Sequence, residues 1–186
     1  MTVFAISTAL TLLLLAVAVI GLFAMMGELT ARVGNHAGDD DATALPVEDA
    51  RIGTAAESWP DGLAHLESAD TGVLLVLSPL CSACTRIAPT IAGHPALAQL
   101  ANDSALIVSC SSTESGTDFL RQHNLVGVLP TALDVNGEWL IGQLAVNTSP
   151  AVLVFRKGQL RAASIIASLA AVAAVTQQIE LKEEMG

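Results

Sequence analysis

Positive charge is scarce in this chain. Eight Lys and Arg stand against 18 Asp and Glu, giving a formal net charge of -10 and a pI near 4.6. Such a surface repels phosphate backbones, which argues against nucleic acid as a partner. Cysteine is also scarce. Three residues cannot all pair within one chain, so a disulfide scaffold is excluded, and a zinc site built from Cys alone would need four. There is no Gly-rich phosphate loop, no Ser/His/Asp pattern, no His spacing suited to a metal and no internal repeat.

What the chain does have is hydrophobicity: 52% of its residues are apolar. Much of this lies between Val3 and Met26, where no residue is charged and only Ser7, Thr8 and Thr11 carry polar side chains. A bilayer core takes about 20 apolar residues as a helix. A cleaved signal peptide would have a basic start and a shorter apolar core, whereas no Lys or Arg precedes this run. Residues 1–33 therefore read as a single-pass transmembrane anchor with a short helical extension. Arg32 is the only positive charge near the span. By the positive-inside rule alone it would keep the rest of the chain in the cytoplasm.

Residues 34–58 are rich in Ala, Gly, Asp and Glu without periodicity, which predicts a flexible acidic linker. Residues 59–186 alternate. A short helix is expected around 61–68. Gly72–Leu77 is an uninterrupted apolar run, as in a strand buried on both faces. Over 81–92, Cys84, Ile87, Ala88 and Ile91 share one helical face, and Pro95 opens a second short helix through Leu100. Ala105–Val108 reads as a strand, 117–123 as a helix, Asn136–Gly137 as a hairpin turn, Ala151–Phe155 as a strand and 159–162 as an edge strand. Ile165, Leu169, Val172, Thr176 and Ile179 mark a final amphipathic helix. The pattern predicts an α/β fold with a mixed sheet flanked by helices.

Two of the three cysteines are spaced C-x-x-C, at Cys81 and Cys84, where a buried strand gives way to a helix. Unpaired N–H groups and the macrodipole at a helix N-terminus favour a thiolate. Cys81 is then the exposed nucleophile and Cys84, one turn in, the resolving thiol, with their disulfide as the only redox group. Cys110 ends a buried strand and reads as core. His94 reads as a solvated loop residue and Trp139 as core or rim.

The segment Cys81-Ser82-Ala83-Cys84-Thr85-Arg86-Ile87-Ala88-Pro89 resembles the active-site helix of the thioredoxin superfamily, with Pro89 at the position of the helix-kinking proline. Leu144 to Phe155 resembles the segment around that family's cis-proline. By this resemblance Pro150 faces the cysteines and the Ser149 backbone pairs with an incoming substrate strand. Pro130, in Leu129-Pro130-Thr131, is a rival for this role. A looser likeness, over most of the chain, is to the membrane-anchored methylamine-utilisation accessory proteins of the superfamily.

The resemblance implies a thiol–disulfide oxidoreductase on the extracytoplasmic side of the cell membrane. Its partners would be protein thiols or disulfides of an exported or membrane protein, and a membrane electron donor or acceptor. Two departures from the family pattern are visible. Leu80 stands where thioredoxins have Trp, and Leu75 where they bury an Asp beneath the second cysteine. These departures favour an alternative reading, a redox-inactive binding or assembly module. Ser78 lies three residues before Cys81, as in peroxiredoxins, but the C-x-x-C pair points away from a peroxidase.

Overall fold

A computed structural model of the chain describes residues 44–94, 97 and 103–184, with side chains as far as Gln177. In chain order the elements are β1 (Ala44–Pro46), a 3-10 helix (Asp61–Glu67), β2 (Gly72–Leu77), α1 (Ser82–Ile91), β3 (Ser104–Cys110), α2 (Thr113–Gln122), β4 (Thr131–Val135), α3 (Glu138–Leu144), β5 (Ala151–Arg156), β6 (Gln159–Ile166) and α4 (Ala170–Glu184). The strands form one sheet in the order β1-β6-β5-β2-β3-β4. β2, β3 and β4 run parallel, while β5, β6 and β1 add antiparallel. The sheet is mixed, as the alternation of apolar runs predicts.

The apolar runs explain the layering. All six residues of β2 are buried, and their side chains alternate between two cores with the period of a strand. Val73, Leu75 and Leu77 pack on one face with α1, α2 and α4 through Cys84, Ile87, Phe119 and Val172. Leu74 and Val76 pack on the other face with Leu63, Leu140, Leu153 and Phe155. Each fully buried Leu or Ile contributes about 1.5–3 kcal/mol, so the centre of the sheet is held firmly beneath the loops that leave its ends.

Several sequence expectations are corrected. Residues 44–58 are not a solvated linker. β1 pairs with β6, the Arg51 N–H donates to the Leu144 carbonyl at 2.9 Å, and the Gly53 N–H to the Leu160 carbonyl at 2.7 Å. Without this segment β6 would expose a row of unpaired backbone groups. β6 is accordingly an inner strand, not an edge. It runs on to Ile166, so Ile165 belongs to the sheet and the last helix begins at Ala170. α2 starts at Thr113, earlier than expected, because Ser112 and Ser115 form a capping box.

The Asn136–Gly137 turn does not make a hairpin. Both residues have positive φ, 58° and 72°, but the chain passes from β4 into α3. The buried Asp134 carboxylate decides this. It accepts hydrogen bonds from the Trp139 and Leu140 N–H groups at 2.9 and 3.0 Å, satisfying the first free donors of the helix.

The expected anchor, residues 1–33, lies outside the described residues, as does most of the helix expected over 95–100, of which Leu97 is helical and buried. Among the described residues no helix is long and apolar enough to cross a membrane.

Candidate functional site

β2 delivers the chain to Ser78-Pro79-Leu80 at the C-terminal end of the parallel strands, and α1 begins directly afterwards. Cys81 is the N-cap of α1, with extended backbone angles. Its Sγ accepts a hydrogen bond from the Cys84 N–H at 3.1 Å, taking the part usually played by a Ser or Asp oxygen. The Cys81 N–H in turn donates to the Ser78 carbonyl at 3.2 Å. The sulfur atom is thus held on the free donors of a helix, as the strand-to-helix junction predicts.

The two thiols differ in exposure. Cys81 is half-buried, while Cys84 is fully buried and packs in the same apolar cluster as Leu75, Ile87 and Ala88. Burial pushes the Cys84 thiol up to about 12, reinforced by its hydrogen bond with the Cys81 side chain and by charge there. The Ser78 backbone and the Ser149 side chain pull it the other way. Cys84 is therefore a thiol at neutral pH, and its proton must leave before it can act as a nucleophile.

The second wall comes from far along the chain. The Cys81 thiol donates to the Ser149 carbonyl at 3.3 Å. The Ser149–Pro150 peptide is cis, the single such bond among the described residues, and Pro150 is buried. Pro130 lies elsewhere. Its carbonyl accepts from Leu106 N–H at the start of β4, towards the opposite end of the sheet. Pro89 sits inside α1 on its exposed side. The structure thus gathers Cys81, Cys84, Ser149 and Pro150, and leaves Pro130 apart.

Compared with solved structures, the chain is similar to a candidate protein disulfide isomerase from Bacteroides thetaiotaomicron, with 19% identity over 74% of this chain and 92% of that one, and a TM-score of 0.53. It is also similar to the thioredoxin domain of a thiol–disulfide oxidoreductase from Bacteroides vulgatus, with 10% identity over 75% of this chain and 97% of that one, and a TM-score of 0.48. No protein-family model and no curated protein matches the chain. The fold is thioredoxin-like.

In this thioredoxin-like frame, both departures seen in the sequence have structural consequences. Leu80 is 88% exposed beside Cys81, and Leu75 is 1% exposed in the core beneath Cys84. No carboxylate takes the place of Leu75. The buried Asp134 serves α3 on the other face of the sheet.

The remaining candidates are structural. Cys110 is buried at the end of β3, its thiol 4.0 Å from the Asp134 carbonyl, and burial pushes its pKa up. His123 stacks on Phe119 with ring centroids 4.6 Å apart. Trp139 packs against Trp59 at 5.5 Å and donates its indole N–H to the Ser58 carbonyl. Among the described residues no group of three His, Cys, Asp or Glu could hold a metal ion. Asp134 and the α3 that it caps escaped the sequence reading, because Asp-x-Asn-Gly reads equally well as a hairpin turn.

Proposed function

We propose that the protein is a membrane-tethered thiol–disulfide oxidoreductase whose only redox group is the Cys81–Cys84 pair. The observation that carries this reading is the placement of Cys81 Sγ, which is bonded to the Cys84 N–H at the start of α1 and faces the Ser149 carbonyl. Cys81, as thiolate, attacks a sulfur of a partner disulfide. A new S–S bond joins Cys81 to the partner, and the partner's second sulfur leaves as a thiolate. Cys84 then loses its proton and attacks Cys81 Sγ, forming the internal disulfide and releasing the partner's first sulfur. Two electrons pass to the partner; the reverse sequence oxidises a partner dithiol. Ser149, once free of the Cys81 thiol, offers its carbonyl to a backbone N–H of the partner strand, with Pro150 closing the site behind it.

The tether rests on the uncharged stretch from Val3 to Met26, and the extracytoplasmic placement on the likeness to methylamine-utilisation accessory proteins. The partner is then a thiol- or disulfide-bearing exported or membrane protein, with a membrane electron donor or acceptor closing the cycle. A second reading, a binding module without turnover, is favoured by one observation: Leu75 leaves Cys84 with no base beneath it.

Trapping separates the two. With Cys84→Ser in the full chain, a disulfide-bearing protein substrate is expected to remain covalently attached to Cys81, visible as a reductant-sensitive adduct by mass spectrometry. Absence of any adduct, with binding retained, supports the module.

A further inference from the structure

Beside the cysteines, at the C-terminal end of β2, β3 and β4, lies a pocket of about 140 Å³. Its polar lining is Ser78, Ser109, Asn136, Asn147, Thr148 and Ser149, over a floor of apolar side chains from β2 and α3. Two lining residues touch the reacting centre. Ser78 holds the Cys81 N–H, and Ser149 accepts from the Cys81 thiol. The side chains of Ser109, Asn136, Asn147 and Thr148 make no hydrogen bond with other described residues.

Size decides what can enter. Cofactor pockets run from about 300 Å³ upward, whereas a cavity of about 150 Å³ takes up a single benzene. This pocket holds one side chain. Charge decides its kind. No Asp, Glu, Lys or Arg lines the wall, so an ionised group would be buried without a counter-charge. An apolar group would cover the Ser109 and Asn136 polar atoms and leave them unpaired.

We propose that this pocket is a specificity subsite for an uncharged polar side chain (Ser, Thr, Asn or Gln) of the partner polypeptide, carried by a residue adjoining its reacting cysteine. The inference rests on the oxidoreductase reading and names the substrate class for the same site. When Cys81 bonds to the partner sulfur, the partner backbone lies along Ser149, and the neighbouring side chain reaches the pocket that Ser149 borders.

The test uses the full chain, reduced, in detergent. It is mixed with short peptides whose single cysteine is in disulfide linkage with 2-nitro-5-thiobenzoate. Attack by Cys81 on the peptide sulfur releases the coloured aromatic thiolate, and Cys84 then releases the peptide thiol. The residue flanking the peptide cysteine is varied among Asn, Ser, Leu, Glu and Lys, at high salt so that long-range charge is screened. The Asn and Ser peptides should react about tenfold faster than the Leu and Glu peptides. Asn136→Asp, a residue type that tolerates positive φ, should move the preference to Lys. Asn147→Asp on the exposed rim should do the same if the first variant fails to fold. Rates within twofold across all peptides, or no gain for Lys in either variant, overturn the subsite while leaving the exchange chemistry standing. No reaction with any peptide or with the free aromatic disulfide overturns the oxidoreductase reading, and the subsite with it.

Discussion

The Cys81 thiol lies 3.3 Å from the Ser149 carbonyl, 68 residues further along the chain. This contact joins the start of α1 to the strand entry at β5. Because β2 and β5 are hydrogen-bonded neighbours, both ends of the contact stand on one rigid, fully buried part of the sheet. The reacting sulfur is positioned by core packing, not by a mobile loop.

Exposure should sort the three thiols. Cys81 is half-buried, while Cys84 and Cys110 are buried. In the native reduced protein, iodoacetamide should modify Cys81 about a hundredfold faster than either of the others, with all three equal in denaturant. Peptide mapping of the alkylated chain reads this directly. Equal native rates would mean that the site opens more readily than the packing implies.

The raised Cys84 pKa has a kinetic consequence. With the thiol pushed up to about 12, the thiolate fraction, and so the rate of resolving a mixed disulfide, should rise about tenfold per pH unit through the neutral range. Stopped-flow decay of a preformed Cys81 adduct gives this slope. A rate independent of pH would place a base near Cys84 that the structure does not contain.

The same shift links pH to stability. Cys84 is raised from 9.0 to about 12 in the folded dithiol form, so the unfolded thiol ionises first. The stabilising contribution is complete below pH 9 and is lost as pH climbs towards 12. Melting curves of the reduced protein and of Cys84→Ser should therefore converge over that window.

Leu75→Asp would restore a carboxylate beneath Cys84. Burying it in β2 should cost about 2–4 kcal/mol, measured by urea unfolding. It should also quicken resolution at neutral pH by supplying a proton acceptor. A variant that folds but resolves no faster would show that proton removal is not the slow step.

The fold's core was legible because β2, β5 and the first turns of α1 are strongly patterned: unbroken apolar runs for the strands, and Cys84, Ile87, Ala88 and Ile91 at helical spacing. The cysteine site was legible for the same reason, since a strand-to-helix junction dictates which thiol is exposed. β1 and β4 were not legible. Ala44–Pro46 is too short to show a period, and it forms only because β6 needs a partner. α3 depends on the Asp134 carboxylate turning back onto Trp139 and Leu140 N–H groups, a tertiary feature that local turn chemistry does not reveal. The polar pocket could not be read from sequence either, because its residues come from separate segments.

Asp134 supports the site from a distance. Asp134→Ala removes two hydrogen bonds to the start of α3 and should destabilise the protein by about 1–3 kcal/mol. Because α3 leads through Val146 into Ser149, disulfide exchange should slow as well. Asp134→Asn, which keeps one acceptor, should fall between Ala and the native residue in both measurements.

The central claim is that Cys81 and Cys84 form a working redox couple. It is tested most directly by equilibrating the full chain in detergent with graded thiol–disulfide buffers and counting free thiols with a maleimide mass tag. The account predicts one reversible two-electron transition confined to Cys81 and Cys84, with Cys110 unchanged. A midpoint near about -270 mV would make the protein a reductant, and one near about -120 mV a disulfide donor. Absence of any reversible transition would contradict the account and leave a thioredoxin-like module that binds without exchanging electrons.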